Sequence, residues 1–332
     1  MSWNIVFFHQ KHNKYLTMKF YSNIYPANKK NLTKASKLIQ SGKVIAIPAE
    51  TVYGLAGNAY RTDAVKKIYS LKKRPKHNPL IVHFLNAASI AQEAIIPDVV
   101  KRLIKKFSPG PITYILSLKP GSKISKLVLN SQGQIACRIP KHKTFLEILK
   151  QSKVPIAAPS ANLSNKVSTT RAIDVKKEFG TKLPLILDSK KISIGVESTV
   201  VSFGSTITIE RPGAITKEMI QAVTKQRVHE RNTNGTIVAP GQFKKHYSPG
   251  IPVFLNQKKA KPNGAILVWG RYKNAKNVFF LSKKSSLSEA SRNLYILLRQ
   301  AKEAGYQNIS VTKIPNIGIG KAINDRLQRA AQ

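Results

Sequence analysis

Residues 72–80 form a cationic segment whose chemistry suits the binding of phosphate groups. They read Lys-Lys-Arg-Pro-Lys-His-Asn-Pro-Leu, and His83 follows shortly after them. The two prolines stiffen the segment, and fixed Lys and Arg side chains can neutralise a polyphosphate without a glycine-rich loop. The segment therefore predicts an anion-binding cradle, with a basic loop exposed to water as the alternative.

A second polar tract follows an apolar strand that we predict over residues 156–158. It reads Pro159-Ser-Ala-Asn-Leu-Ser-Asn165, and open α/β sheets bind ligands at the carboxyl ends of their strands. Ser160 and Asn162 are therefore candidates for ligand contacts. An Asx-rich turn that binds nothing is the alternative interpretation.

Arg138 is a third candidate, because it lies inside an apolar strand between Cys137 and Ile139. A buried guanidinium without a partner is costly, so this position requires an anion. That anion is either a carboxylate of the protein or a carboxylate of the substrate.

Several familiar catalytic arrangements are absent from the sequence. There is no GxxxxGKS/T phosphate loop, no GxGxxG after a strand and no pair of His residues at metal-ligand spacing. A Ser-His-Asp triad cannot be assigned from spacing, and the single cysteine, Cys137, excludes a disulfide framework and CxxC sites. Nucleotide chemistry in this chain must therefore use a less familiar site.

Six motifs, taken together, resemble those of the YrdC/Sua5 family. They occur in the family's order and cover about residues 25–225 of the chain. The motifs are Ile47-Pro-Ala-Glu-Thr-Val-Tyr-Gly-Leu55, Lys72-x-Arg74-Pro75 with Asn78-Pro79-Leu80, Arg138-Ile-Pro140, Pro159-Ser-Ala-Asn162, Glu197-Ser-Thr-Val200 and Arg211-Pro-Gly213.

The later part of the chain is similar to the two-domain Sua5 form of this family. Pro240-Gly241, His246-Tyr247-Ser248-Pro249 and the ending 318–330 carry the likeness, and the single-domain YrdC and YciO types lack this tail. Hydrogenase-maturation carbamoyltransferases share the YrdC domain but also carry cysteine-rich zinc motifs, which a chain with one cysteine cannot form.

The resemblance implies a nucleotidyltransferase that synthesises L-threonylcarbamoyl-AMP. L-Threonine, bicarbonate and ATP are its implied substrates and pyrophosphate leaves. A downstream threonylcarbamoyl transferase machinery then makes threonylcarbamoyladenosine next to the tRNA anticodon. Such chemistry needs no protein nucleophile, but it does need positioning and neutralisation of a triphosphate. Because acidic residues are scarce in the motifs, we expect Mg²⁺ to be held mainly by phosphates and water, with no metal site made by the protein.

The resemblance also assigns residues to each substrate. It assigns L-threonine to Thr51, His83, Arg138, Ser160 and Ser198. It assigns ATP to Lys72, Arg74, Asn78, Asn162, Thr170, Arg211, His246 and Tyr247, with Lys72 and Arg74 as the implied catalytic residues. Two positions depart from the family pattern: Asn165-Lys166 stands in place of a glycine after Ser164, and Gln134 stands in place of Thr. At these two positions the resemblance therefore does not define the contacts to the adenine and the phosphates.

A chain of 332 residues predicts two domains, and its mixed pattern of strands and helices predicts an α/β class. The resemblance implies a YrdC-like twisted mixed sheet, with helices around a concave basic cavity, over residues 25–225. It implies a small Rossmann-like α/β domain over 251–332. Residues 226–250 are polar and rich in turn residues, which predicts a linker. Its His-Tyr pair favours a lid over the nucleotide, and an aromatic pair that docks the linker onto the second domain is the alternative. Residues 1–24 are predicted as an N-terminal extension.

Hydrophobic patterning predicts the elements that carry these motifs. The polar tract over residues 48–55 is predicted to break the strand before it. Strands are predicted at 43–48, 81–84, 112–118, 134–139, 156–158, 185–188, 198–203, 206–211, 253–255, 265–268, 278–281 and 309–311. Helices are predicted at 31–40, 63–71 after a Thr62 cap, 99–107, 143–150 and 172–178, between a Ser286/Glu289 capping box and Gly305, and at 322–330.

The composition excludes several classes of protein. Hydrophobic residues make up 42% of the chain and charged residues 21%, which excludes disordered and fibrous proteins. No apolar run approaches the roughly 20 residues that span a bilayer, and residues 5–8 are too short an apolar run for a signal-peptide core. With one cysteine, the sequence predicts a cytoplasmic protein without a membrane segment.

The charge balance is the unusual property of the chain. Its 56 Lys and Arg residues against 15 Asp and Glu give a formal net charge of +41. Such a field attracts polyanions, so affinity for tRNA or other RNA is a prediction. A non-catalytic RNA-binding protein on the same fold is the alternative function, although the charges are scattered and form no dense basic tract.

Overall fold

The structure is a computed structural model that describes residues 23–189, 192–231, 239, 241 and 246–332. The predicted N-terminal extension over residues 1–24 therefore lies almost entirely outside the described residues, as does much of the predicted linker over 226–250. None of the described helices is both long enough and apolar enough to cross a membrane.

One large mixed sheet organises the first domain, which is the part of the chain before residue 232. Its eleven described strands lie in the order β1-β8-β2-β3-β7-β4-β6-β5-β9-β10-β11. They are β1 (Ile24–Pro26), β2 (Ile45–Pro48), β3 (Tyr53–Asn58), β4 (Ile81–His83), β5 (Ile112–Ser117), β6 (Gln134–Arg138), β7 (Ile156–Ala157), β8 (Ile186–Asp188), β9 (Thr199–Phe203), β10 (Ile207–Arg211) and β11 (Val228–Glu230).

Seven described helices pack around this sheet, each with one side buried. They are α1 (Lys29–Gln40), α2 (Thr62–Lys72), α3 (Ala87–Glu93), α4 (Asp98–Phe107), α5 (Lys143–Ser152), α6 (Ala172–Phe179) and α7 (Lys217–Thr224). In α4, for example, Val100, Leu103 and Ile104 are buried while the lysines are exposed. Asn28 and Thr216 cap α1 and α7 with side-chain oxygens.

The second domain, residues 251–332, is built on a smaller sheet whose four described strands are all parallel. Their order is β12-β15-β13-β14, with β12 at Val253–Phe254, β13 at Gly264–Trp269, β14 at Val278–Ser282 and β15 at Asn308–Val311. Two helices complete the domain, α8 (Leu287–Glu303) and α9 (Ile319–Ala330). The expected mixed α/β fold with two domains is confirmed.

Departures from the predicted elements concern short or polar segments. The sequence predicts a break over residues 48–55, but Tyr53–Asn58 form β3 and all six residues are buried. Pairing with β2 and β7 supplies the hydrogen bonds that outweigh the low strand propensity of Gly and Asn. The short elements β1, β11, α3 and α7 are not predicted, and β11 lies inside the span predicted as linker.

One predicted helix cap is wrong and another is half right. Arg61, not Thr62, is the N-cap of α2, and the Thr62 hydroxyl instead pairs with that of Ser125 at 3.0 Å. Ser286 does cap α8, since its Oγ accepts from the Glu289 N–H at 3.2 Å. The Glu289 carboxylate, however, accepts a hydrogen bond from Ser282.

Candidate active site

A small cavity lies where the loops after several first-domain strands meet the segment around residue 246. Its wall carries Arg74, Arg138 and Arg211, which make it positive in character. The cavity volume is about 40 Å³, room for about three water molecules. The wall is formed by Thr51, Val52, Arg74, Ile81, His83, Arg138, Ala158, Pro159, Ser160, Glu197, Arg211, Gly241, His246 and Tyr247.

Arg138 finds its anion within the protein. Its Nη2 donates to Glu50 Oε1 at 2.6 Å and to Thr51 Oγ1 at 3.1 Å, and its Nε donates to the Gly110 carbonyl at 3.3 Å. The side chains of Arg138 and Glu50 are each only 4% exposed. Burial would raise the pKa of Glu50, but the charge and hydrogen bond of Arg138 bring that pKa below its usual value.

His83 stands beside this ion pair in an uncharged state. Its ring stacks on Phe145 with 4.6 Å between ring centroids. Burial and the nearby charge of Arg138 hold the pKa of His83 well below its usual range. Within the part of the chain that the structure describes, His83 Nδ1 has no hydrogen-bond partner, so this polar atom is available for a ligand.

Arg74 is held rigidly at the cavity by the loop that follows it. Its Nε donates to the Asn78 carbonyl at 3.0 Å, and its Nη2 donates to Asn78 Oδ1 and to the Pro79 carbonyl at 2.8 Å. Burial lowers the pKa of Arg74 to about 10, so the side chain stays cationic at neutral pH. Asn78 therefore lies behind Arg74 and is not on the cavity wall.

Arg211 is fixed in a similar way by Ser198. Its Nη2 donates to the Ser198 carbonyl at 3.0 Å and to the Ser198 hydroxyl at 3.2 Å. That hydroxyl also pairs with Thr113 Oγ1 at 2.8 Å and is fully buried. Ser198 is thus a support of the arginine and does not line the cavity.

Lys72 points into the protein. Its Nζ donates to the carbonyls of Ser160 and Asn162 at 2.5 Å each, and the residue is 1% exposed. Burial and the charge of Arg74 place the pKa of Lys72 well below its ordinary value. Through its two hydrogen bonds, Lys72 anchors the loop that carries Ser160 from behind, and its predicted contact with ATP stays a prediction.

Asn162 and Thr170 also lie away from the cavity wall. The Asn162 amide donates to the carbonyls of Leu163 and Lys166 and so ties its own loop together. Asn165 in the same loop has φ 67°, the left-handed conformation that suits the glycine expected there. Thr170 lines a different cavity of about 380 Å³ beside Tyr53 and Asp188.

The aromatic pair of the predicted lid lies on the cavity wall. His246 and Tyr247 are buried, and their rings meet edge to face with 4.0 Å between centroids. Tyr247 adopts φ 61°, which is uncommon for a bulky residue and is sustained only by its surroundings. Burial lowers the pKa of His246 to about 3 and raises that of Tyr247 to about 12.

Two carboxylates at the site, Glu50 and Glu197, are not among the sequence-predicted site residues. Glu197 Oε1 accepts from the Ser168 hydroxyl at 2.6 Å, and Oε2 accepts from Tyr295 at 2.8 Å and Arg326 at 2.9 Å. Burial would raise the pKa of Glu197, but Arg326 and Arg211 bring it to about 2. Both acids lie inside the quoted motifs. An acidic residue next to an apolar strand predicts a buried cationic partner, just as Arg138 within an apolar strand predicts an anionic one.

Two family models match consecutive parts of the chain. The Sua5_yciO_yrdC model, described as telomere recombination, matches residues 37–213. The Sua5_C model, described as threonylcarbamoyl-AMP synthase, C-terminal domain, matches residues 215–332.

Known proteins resemble the chain over nearly its whole length. The threonylcarbamoyl-AMP synthase of Bacillus subtilis is 36% identical, covering 92% of this chain and 94% of the relative. That of Pyrococcus abyssi is 34% identical, covering 90% and 93% respectively. The crystal structure of P. abyssi Sua5 complexed with L-threonine superposes with a TM-score of 0.84 at 31% identity, covering 93% of this chain and 96% of that one.

Proposed function

The chain belongs to the YrdC/Sua5 family in its two-domain form, and on this premise we propose that it synthesises L-threonylcarbamoyl-AMP. The substrates are L-threonine, bicarbonate and ATP, and pyrophosphate is released. One observation carries the proposal: Arg74, Arg138 and Arg211 meet on the wall of a single cavity. Both a triphosphate and an amino-acid carboxylate are bound best by such fixed cations.

The reaction has two bond-forming steps. The threonine nitrogen bonds to the carbon of bicarbonate with loss of water, which gives a carbamate. A carbamate oxygen then attacks the α-phosphorus of ATP, and the α–β phosphoanhydride bond breaks as pyrophosphate leaves. Neither step needs a nucleophile from the protein, so the chain contributes positioning and charge stabilisation.

On the threonine side, Arg138 is proposed to bind the substrate carboxylate. Glu50, Thr51 and the Gly110 carbonyl engage its Nη2 and Nε, and within the described residues its Nη1 donates no hydrogen bond. Since a guanidinium has five N–H donors, the Nη1 pair is available for threonine. The uncharged ring of His83 and the loop at Ser160 complete this side of the site.

On the nucleotide side, Arg74 and Arg211 are proposed to bind the phosphates, and His246 and Tyr247 to cover the nucleotide. Residues behind the wall support these groups: Lys72 holds the Ser160–Asn162 loop, Asn78 holds Arg74 and Ser198 holds Arg211. The geometry gives least support to Thr170, because that residue lies in a separate cavity.

The described residues at the cavity give no support to a magnesium site made by the protein. Among the residues that the structure describes, no group of three or more His, Cys, Asp or Glu could hold a metal ion. Glu197 is engaged by three donors, and Glu50 is paired with Arg138. We infer that Mg²⁺ arrives with ATP, coordinated by phosphate oxygens and water.

Downstream, the product is proposed to pass to a threonylcarbamoyl transferase machinery that modifies tRNA beside the anticodon, in the cytoplasm. Affinity for tRNA itself is a further proposal, supported by the net charge of +41. The alternative of a non-catalytic RNA-binding protein rests on that charge alone.

Pyrophosphate release tests the function directly. The purified chain is expected to release pyrophosphate when ATP, L-threonine and bicarbonate are all present, and to stop when any one is omitted. Release that persists without threonine would indicate a simple ATP pyrophosphatase and would contradict the proposal.

A further inference from the structure

Two buried side chains of the second domain reach the wall of the active-site cavity. Tyr295 on α8 donates from its hydroxyl to Glu197 Oε2 at 2.8 Å, and Arg326 on α9 donates from Nε to the same oxygen at 2.9 Å. Tyr295 is 0% and Arg326 1% exposed. Because Glu197 lines the cavity, the second domain holds a wall residue directly.

Tyr247, a second residue of the wall, contacts the same two side chains. Its ring stacks on that of Tyr295 with 5.7 Å between centroids and 17° between planes. The guanidinium carbon of Arg326 lies 5.2 Å from the Tyr247 ring centroid, within the range of a cation–π contact. Arg326 Nη2 also donates to the carbonyl of Pro212 at 3.0 Å, directly after Arg211 in the chain.

The surrounding contacts make this docking close and specific. Ser291, Tyr295 and Arg299 recur every four residues and therefore share one face of α8. Ser291 donates to the Ile194 carbonyl at 2.7 Å, and Arg299 Nη1 donates to Glu178 at 3.0 Å. Gly195 lies against the helix backbone, where a Cβ would be only 2.4 Å from the Arg292 Cα.

Stability alone does not account for a buried arginine at this position. An apolar side chain of similar volume often stabilises a fold as well as, or better than, a buried ion pair, because the pair loses its hydration. Arg326, by contrast, fixes three separate groups: the Glu197 carboxylate, the Pro212 carbonyl and the Tyr247 ring. Such directional contacts fix the positions of these three groups relative to one another.

We propose that Tyr295 and Arg326 are positioning residues for the nucleotide side of the active site, acting through Glu197 and Tyr247. The second domain thereby sets the affinity of the first domain for ATP. This inference rests on the proposed function for its substrate, and it extends that function to residues outside the first domain.

Three variants test it. Tyr295→Phe removes one hydroxyl and keeps the ring stack, and Arg326→Met removes the guanidinium at similar length. Arg299→Met is the matched control, because Arg299 joins the same two domains through a half-buried ion pair with Glu178 but does not line the cavity. For each variant we would measure KM for ATP and for threonine, the melting temperature, and the affinity for a non-hydrolysable ATP analogue by titration calorimetry.

We expect Tyr295→Phe and Arg326→Met to raise KM for ATP and the analogue Kd by about tenfold, with KM for threonine changed less than about twofold. Arg299→Met should lower the melting temperature and leave both ATP parameters within about twofold of wild type. Unchanged analogue affinity in Tyr295→Phe, or an equal loss in Arg299→Met, would overturn the inference. If Arg326→Met does not fold, Tyr295→Phe decides.

The analogue titration keeps the two proposals separate. A wild-type chain that binds the analogue but releases no pyrophosphate would contradict the proposed function while leaving the positioning role measurable. A double-mutant cycle between Tyr295→Phe and Glu197→Gln adds a second readout, since effects on analogue affinity that pass through Glu197 must be non-additive. Additive effects would contradict the route through that carboxylate.

Discussion

The guanidinium of Arg138 lies 2.6 Å from the carboxylate of Glu50, and both side chains are buried. Arg138 lines the cavity, and Glu50 lies behind it. The pair joins β6 to the loop after β2 across 88 residues of sequence. The ion pair explains how Arg138 can be buried in an apolar sheet before a substrate carboxylate binds, because Glu50 compensates the charge of Arg138 in the free protein. Stability and binding are therefore coupled at this position, and variants can separate them.

Arg138→Ala should reduce both the stability of the protein and its affinity for threonine. Without its partner, Glu50 is an unpaired buried charge, which costs about 3–5 kcal/mol of unfolding free energy, and threonine affinity should fall by about 2–4 kcal/mol. The double variant Glu50→Gln/Arg138→Met removes both charges at similar volume. It should recover most of the melting temperature but none of the threonine affinity, as measured by calorimetric titration. Threonine binding by the double variant would show that Arg138 is only structural.

Arg74→Ala should reduce turnover far more than it reduces threonine affinity, because Arg74 faces the phosphate side of the site. Arg74→Lys should not restore turnover, since lysine cannot reproduce the planar contacts to Asn78 and Pro79. Steady-state pyrophosphate release at saturating ATP is the measurement. Full activity of Arg74→Ala under these conditions would show that Arg74 only supports its own loop and does not act on ATP.

His246 should make stability depend on pH. Its folded-state pKa is lowered by burial from 6.5 to about 3, so between these values the unfolded chain binds one more proton than the folded chain. The contribution of His246 to the free energy of unfolding is therefore fully present above about pH 6.5. It falls by about 1.4 kcal/mol per pH unit as the pH drops towards 3.

Denaturant unfolding of wild type and His246→Gln between pH 6 and pH 4 checks this. The free energy of unfolding of the variant should fall less steeply with decreasing pH than that of the wild type, because the variant lacks the proton that His246 takes up on unfolding. The contribution of His83 is the same in both proteins and cancels in the comparison. Parallel curves for the two proteins would mean that His246 is protonated or exposed in the folded chain.

Gly213→Ala should damage the nucleotide side by displacing Arg211. A Cβ at residue 213 would lie 2.3 Å from the Thr199 nitrogen and 2.7 Å from the Ser198 carbonyl carbon, so the backbone that holds Arg211 must shift. We expect a lower melting temperature and a KM for ATP raised severalfold. Gly204→Ala is the control, because a Cβ there meets no atom within 4 Å, and an equal effect of that change would refute the steric argument.

The sequence predicts the cavity better than it predicts the partners of its cations. Arg138 in an apolar strand requires an anion, and the structure supplies one, but the choice of Glu50 depends on how distant strands are placed. Lys72 shows the limit of reasoning from local charge, and its contact with ATP stays a prediction. A lysine in a cationic loop suggests a ligand contact, whereas tertiary packing turns it inward to two backbone carbonyls.

The second domain illustrates the same limit. Its four described strands follow from apolar runs separated by turn residues, and Ser286 caps α8 as predicted. No local pattern indicates that Tyr295 and Arg326 meet Glu197, because that contact depends on how the domains dock. Short elements such as β1 and β11 carry too few residues for a periodic signal, and they form through pairing with β8 and β10 respectively.

The fate of the bicarbonate carbon tests the central claim most directly. The chain would be incubated with ATP, L-threonine and carbon-13 bicarbonate, and the nucleotide products analysed by mass spectrometry. The account predicts threonylcarbamoyl-AMP that carries the heavy carbon, formed in equal amount with pyrophosphate and lost in Arg74→Ala. AMP and pyrophosphate without a labelled threonine adduct would contradict it.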